Sequence, residues 1–118
     1  MTTSATWLAL AGRCEKATGP DRDIERCMAA YIPDGFQTMP NGGFTESLDV
    51  ITALIERELP GGSWFVGKGR TRLEEPLGGA RIFADEAGDN CIGEGEAATP
   101  ALALCAAFCR AMAERSEG

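Results

Sequence analysis

The feature that most restricts the fold is an apolar, alanine-rich helix near the end of the 118-residue sequence. Thr99-Pro100 is a strong helix start, because threonine caps an N-terminus and proline fits the first helical position. From there to about Glu114, one ridge of large apolar side chains is flanked by small residues that spread round the helix. This width predicts burial on more than one side, or a close contact with a second helix. A second close contact of this kind hints at self-association.

Upstream of this helix the sequence contains three helical patterns and a group of short strands. Apolar residues recur at helical spacing, and proline, glycine or a polar cap marks the ends. The predicted helices are Thr3–Lys16, Pro20–Tyr31 and Ser47–Leu59, and the predicted strands are Ser63–Lys68, Ala80–Asp85 and Asn90–Gly95. Three short consecutive strands predict an antiparallel meander. The predicted connections are a loop at Pro33–Phe44, a long hairpin connection at Gly69–Gly79 and a tight turn at Glu86–Asp89.

The length of the chain suits one domain, residues 1–118, that folds without a disulfide or a metal. We predict an α+β fold in which helices sandwich a small antiparallel sheet of about three strands, an α-β-α sandwich. No apolar run is long enough to span a membrane, and the first ten residues lack the basic flank of a secretory signal. We therefore expect neither membrane insertion nor secretion.

Charge and residue usage exclude several classes of function. The net charge is −7, so the chain repels a phosphate backbone, and binding to DNA or RNA is not expected. A small anion held by two or three converging arginines is still allowed. The sequence has no histidine, which removes the commonest general base and most zinc sites. We predict no catalytic residue, no metal site and no cofactor.

The five cysteines do not form a disulfide or metal pattern. Their number is odd and no CxxC pair is present, which is typical of a reduced, cytosolic protein. Cys105 and Cys109 share a helix face and are interpreted as small buried hydrophobes. One enzyme hypothesis remains, a hydrolase that uses either a carboxylate-bound metal or a cysteine nucleophile. Cys91 could be that nucleophile if a lysine or a helix terminus lowered its pKa.

Other short motifs are interpreted structurally. Gly67-Lys68-Gly69 and Gly93-Glu94-Gly95 resemble fragments of nucleotide-binding loops, but neither completes a GxGxxG motif before a helix. We interpret them as turn or bulge glycines. The adjacent carboxylates, such as Glu74-Glu75, lie in or beside predicted loops and are interpreted as solvated surface.

Arginines and aromatic residues occur together around the predicted sheet. An aromatic ring such as Phe83 can stack on a base, and a guanidinium such as that of Arg81 can pair with phosphate. Asn90 could add amide hydrogen bonds to a base edge. The alternative is that the aromatic side chains belong to the core and the arginines are surface charges.

Four stretches of the chain resemble a known family. They are GPDRDIE (Gly19–Glu25), FTESLDVITALIERELP (Phe44–Pro60), SWFVGKG (Ser63–Gly69) and GEGEAATPALALCAAFCRAM (Gly93–Met112). Together they resemble the phage ABA sandwich domain, which is found in small proteins of tailed phages and prophages. The last stretch is the most specific of the four.

Within that family the chain resembles proteins that defeat the Thoeris defence system. The resemblance implies a non-enzymatic sponge in the host cytoplasm, which sequesters a cyclic ADP-ribose isomer or a cyclic oligonucleotide without cleaving it. It also implies a homo-oligomer, from a dimer to a hexamer. By relative position, it places ligand contacts at Arg57, Phe83, Asn90 and Arg110. The alternative is a phage protein that binds and inhibits a host or phage protein through an apolar surface near the alanine-rich helix.

Overall fold

The computed structural model describes residues 4–19, 21–31, 45, 47–70, 76–85, 88 and 90–117. The predicted loop at Pro33–Phe44 lies outside these residues. Four helices and three strands are formed by the part that is described. In chain order they are α1 (Ser4–Lys16), α2 (Arg22–Tyr31), α3 (Leu48–Glu58), β1 (Ser63–Arg70), β2 (Pro76–Phe83), β3 (Cys91–Ala97) and α4 (Pro100–Glu117).

Side-chain caps fix the starts of three helices. The Oδ1 atom of Asp21 accepts hydrogen bonds from the backbone N–H groups of Asp23 and Ile24, at 2.9 and 3.1 Å. The predicted caps at Ser47 and Thr99 are confirmed, because their hydroxyl groups accept from N–H groups three residues further on. Each cap satisfies an N–H group that the first helical turn leaves without a partner.

The three strands form one antiparallel sheet in the order β1-β2-β3. β1 and β2 pair without interruption from Ser63↔Phe83 to Arg70↔Pro76. Both strands are therefore longer than predicted, and the connection is shorter than Gly69–Gly79. The prediction was wrong because polar and glycine-rich residues were interpreted as loop, although they continue the ladder. β2 pairs with β3 with a register shift between Ile82 and Phe83.

The last helix, α4, is the centre of the molecule. It packs against all three strands, most closely against β3, and α1 packs along it on another side. Its residues 101–109 are all buried. Within the contact between α1 and α4, the Trp7 ring meets the Phe108 ring edge to face, with ring centres 5.9 Å apart. The predicted burial on more than one side is confirmed, and it arises within one chain, so the small residues of α4 need no second copy.

Glycines let α4 approach the sheet closely. A Cβ atom at Gly93 would lie 2.2 Å from the carbonyl oxygen of Ala107, and one at Gly95 would lie 2.6 Å from that of Ala103. Gly78 is similarly close to Thr99. The glycines of the Gly93-Glu94-Gly95 motif are therefore packing residues, and Gly93 also adjoins the register shift in β3. They lie within β3, where any side chain would collide with the helix.

The helices leave one face of the sheet uncovered. α1 contacts the sheet only at β3, and α2 and α3 make no close approach to any strand. The predicted α+β class with a three-stranded antiparallel sheet is confirmed. The described helices do not form the second helical layer of a sandwich. None of the helices in the described ranges is long and apolar enough to span a membrane.

Candidate functional site

The uncovered surface, here called the open face, is made by alternate residues of the three strands. Because side chains alternate along a strand, every second residue points away from α4. The pairing arranges these residues in two rows across the sheet. One row is Phe65, Arg81 and Glu94, and the other is Gly67, Gly79 and Glu96. Phe83 follows Arg81 along β2 on the same face.

The open face contains a concavity of about 1020 Å³. Both rows line it together with Phe83, and Glu15 and Arg110 close it at the edge of β3. This volume is at the upper end of the range for small-molecule sites, about 300–1,000 Å³. Phe65 stands in it with 71% of its surface exposed, the largest exposure among the exposed large hydrophobic residues of the described chain.

The floor of the concavity includes a patch without side chains. Gly67 and Gly79 lie opposite each other, and a Cβ atom built at either position meets nothing within 4 Å. Packing among the described residues therefore does not require glycine at these positions. The two glycines leave an area of bare backbone beside the Phe65 ring.

Charged side chains of opposite sign face each other in the row that contains Phe65. The Nε atom of Arg81 lies 3.3 Å from a carboxylate oxygen of Glu94, and both side chains are about two-thirds exposed. An ion pair this exposed contributes little free energy because water screens it. Arg81 can therefore exchange Glu94 for another anion at small cost.

A stronger ion pair closes the edge of the sheet. Arg110 of α4 donates to both carboxylate oxygens of Glu15 of α1, at 2.5 and 2.9 Å. Arg110 also donates to the carbonyl oxygen of Glu94, and Glu15 accepts from the N–H of Glu96, at 2.7 and 3.1 Å. These hydrogen bonds lower the pKa of Glu15 and raise that of Arg110. The pair thus occupies the carbonyl of Glu94 and the N–H of Glu96 at the edge of β3. A further strand would need both groups for its own hydrogen bonds.

The structure brings together two of the four predicted ligand residues. Phe83 and Arg110 both line the concavity. Arg57 lies on α3, where its Nε atom is 3.6 Å from a carboxylate oxygen of Glu58. Asn90 precedes β3, is exposed, and accepts a hydrogen bond from the N–H of Ala84 through its backbone carbonyl. Neither Arg57 nor Asn90 lines the concavity, and no observation tests their role in binding.

Sequence reasoning missed Glu96 and the paired glycines. The sequence pattern that could have revealed this surface is the alternation in β1. Trp64 and Val66 pack toward the core, while Phe65 and Gly67 are exposed. The interpretation of Gly67-Lys68-Gly69 as turn or bulge residues concealed this alternation, since all three residues lie within β1. Pairing of Gly67 with Gly79 could not be predicted without the register.

Candidate reactive groups lie elsewhere. Cys91 is exposed at the start of β3, and its thiol lies 3.5 Å from the carbonyl oxygen of Gly93. Burial raises the pKa of the Cys105 and Cys109 thiols well above the usual range. No group of three or more histidine, cysteine, aspartate or glutamate side chains within the described ranges is placed to hold a metal ion.

The chain was compared with protein-family models, curated proteins and solved structures, and none of the three comparisons found a match. The resemblance to the phage ABA sandwich domain therefore stays a prediction.

Proposed function

We propose that this protein binds a nucleotide signal in the concavity of the open face and holds it without cleaving it. The observation that carries the proposal is the position of Phe65, a largely exposed ring beside a patch of bare backbone in a concavity of about 1020 Å³. Covering a large exposed aromatic ring removes apolar surface from water, which favours binding of a flat apolar partner. A nucleobase is a flat partner of suitable size.

Stacking on sheet aromatics is an established way to bind bases. A ring on the surface of a strand offers its face to a base, and each such contact is worth about 1–3 kcal/mol. Phe65 and Phe83 lie on neighbouring strands of the open face, with Arg81 next to both of them in the sheet. A base on Phe65 would bring its phosphate within reach of the Arg81 guanidinium, which pairs well with phosphate oxygens.

The proposed biological role is sequestration of a cyclic nucleotide immune signal by a phage protein in the host cytoplasm. The support for this role is the resemblance of four stretches of the sequence to phage proteins of that kind. A sponge needs affinity and slow release rather than catalytic groups, which suits a sequence without histidine. Homo-oligomerisation remains part of the proposal, although α4 gives no argument for it.

Titration calorimetry with cyclic ADP-ribose, cyclic di-GMP and cyclic di-AMP tests the proposal. We expect at least one probe to bind, and Phe65→Ala to weaken it about tenfold or more because a stacking contact is lost. Leu48→Ala is the matched control, since Leu48 is an exposed apolar residue on α3, outside the concavity. Mass spectrometry of the ligand released by heat should show it intact.

Two outcomes would contradict the proposal. One is the absence of binding to every probe, and the other is equal binding by the wild type and Phe65→Ala. A protein partner is the remaining alternative, because an exposed phenylalanine also suits a protein interface. The alanine-rich surface of α4 is buried within the chain, so such a partner would need a neighbouring surface.

A further inference from the structure

One row of the open face combines bare backbone with a carboxylate. Gly67 and Gly79 pair across β1 and β2, and Glu96 follows in the same row on β3. Neighbouring strands are about 4.8 Å apart, so Glu96 lies one strand spacing from the glycine patch. A flat ring that rests on the two glycines would turn one edge toward this carboxylate.

Glu96 differs from the other two glutamates that line the concavity. Glu15 is held by Arg110, and Glu94 lies 3.3 Å from Arg81. No described side chain forms an ion pair with Glu96, and its residue is exposed. The N–H of Glu96 is bonded to Glu15, which fixes the backbone at this position. Because the backbone is fixed and no described cation neutralises the carboxylate, Glu96 is suited to accept hydrogen bonds from the edge of a ligand.

The chemistry of a carboxylate selects among the bases. An ionised carboxylate offers two acceptor oxygens and no donor. Guanine presents two adjacent donors on its Watson–Crick edge, N1–H and the N2 amino group. Adenine presents one donor beside the acceptor N1, and that lone pair would face a carboxylate oxygen of like charge. A site that reads a base edge through a lone glutamate therefore favours guanine.

We infer that Glu96 makes the concavity selective for guanine nucleotides over adenine nucleotides. The inference rests on the proposed nucleotide binding and adds the identity of the base. In the bound state one base of a cyclic dinucleotide stacks on Phe65, and the other lies over Gly67 and Gly79, where Glu96 accepts from its N1–H and N2 amino groups. Arg81 then leaves Glu94 to pair with a phosphate.

The test compares cyclic di-GMP, cyclic di-AMP and cyclic di-IMP by calorimetry on the whole chain. Hypoxanthine keeps N1–H and lacks the N2 amino group, so cyclic di-IMP isolates one of the two hydrogen bonds. We expect affinity to fall from guanine to hypoxanthine to adenine, with at least about a tenfold difference between the first and the last. Glu96→Gln should lower the affinity for guanine and raise that for adenine, because an amide offers both a donor and an acceptor.

Glu94→Gln is the matched control, because it removes the same charge from the same strand and face two residues away. It should leave the guanine-to-adenine ratio unchanged. Equal binding of both bases, or a ratio that Glu96→Gln does not change, overturns the inference and leaves nucleotide binding in place. A preference for adenine overturns it as well. Absence of binding to every probe removes the proposed function and the inference together.

Discussion

The two faces of the sheet use glycine for opposite purposes. On the face toward α4, Gly93 and Gly95 are required because a Cβ atom would lie 2.2–2.6 Å from the helix backbone. On the open face, Gly67 and Gly79 have free space above them. The same residue type therefore marks a tight packing contact on one side and an uncovered surface on the other.

The fold therefore requires glycine at positions 93 and 95, whereas it only tolerates glycine at positions 67 and 79. Glycine within a strand is unfavourable by about 0.5–1 kcal/mol relative to alanine. On the inner face that cost is offset by the close contact of helix and strand. On the open face no contact within the described chain offsets it. An occupant of the concavity would give a reason for the bare surface at Gly67 and Gly79.

The largest difference is expected between two glycine-to-alanine substitutions, one on each face of the sheet. Gly93→Ala should lower the free energy of unfolding by about 3 kcal/mol, because the helix must move away from β3 to admit the Cβ atom. Gly67→Ala should instead leave the free energy unchanged or raise it by about 0.5 kcal/mol. Urea unfolding of both variants, followed by circular dichroism, measures the difference. Equal effects of the two substitutions would contradict the distinction between the faces.

The next effect concerns the edge where the two faces meet. Arg110→Met removes the partner of Glu15 and the donor to the Glu94 carbonyl, and it keeps most of the apolar length of the side chain. We expect a loss of about 1–2 kcal/mol in the free energy of unfolding, since both side chains are only about one-third exposed. A double-mutant cycle with Glu15→Gln should give a coupling energy well above that of an exposed pair. Additive losses would show that the pair does not stabilise the edge.

The same ion pair predicts a pH dependence. The hydrogen bonds from Arg110 lower the pKa of Glu15 below its ordinary value of 4.5 in the folded protein. The stabilisation is therefore fully present above pH 4.5 and is lost as the pH falls through the lowered folded value. The difference in the free energy of unfolding between wild type and Arg110→Met should be largest near pH 7 and should shrink below pH 4.5. A difference that stays constant down to pH 3 would show that Arg110 does not stabilise the folded protein through the ionised carboxylate of Glu15.

The smallest effect is expected from the exposed pair on the open face. Arg81→Ala should change the free energy of unfolding by less than about 0.5 kcal/mol, because the ion pair with Glu94 is largely solvated. The same variant should weaken nucleotide binding if Arg81 contacts phosphate. Urea unfolding and calorimetry on one preparation separate the two roles. A large loss of stability would instead place Arg81 among the residues that hold the fold.

The helices were predictable because local chemistry determines them. The caps at Ser47 and Thr99 and the apolar width of α4 were each visible in a few consecutive residues, and the structure confirms them. The extent of β1 and β2 was not visible. Gly69, Arg70 and Pro76 to Gly79 have the composition of a loop, and they belong to strands only because the two segments continue the pairing of β1 with β2.

The candidate site was predictable only in part, for the same reason. Phe83 and Arg110 were placed at a site by the family resemblance, through their relative positions in the chain. Glu15 could not, since its contact with Arg110 joins residues 95 positions apart in the chain. The row that ends at Glu96 depends on the register of three strands, and no local pattern encodes a register.

The central position of α4 also has a consequence for folding kinetics. Among the described elements, the helix on which α1 and all three strands pack is synthesised last. The contact between α1 and α4 closes a loop of most of the chain, and such long loops slow the search for the native state. Until α4 emerges from the ribosome, α1 and the sheet share only the contact of α1 with β3, and the apolar surfaces that α4 covers stay exposed on the nascent chain.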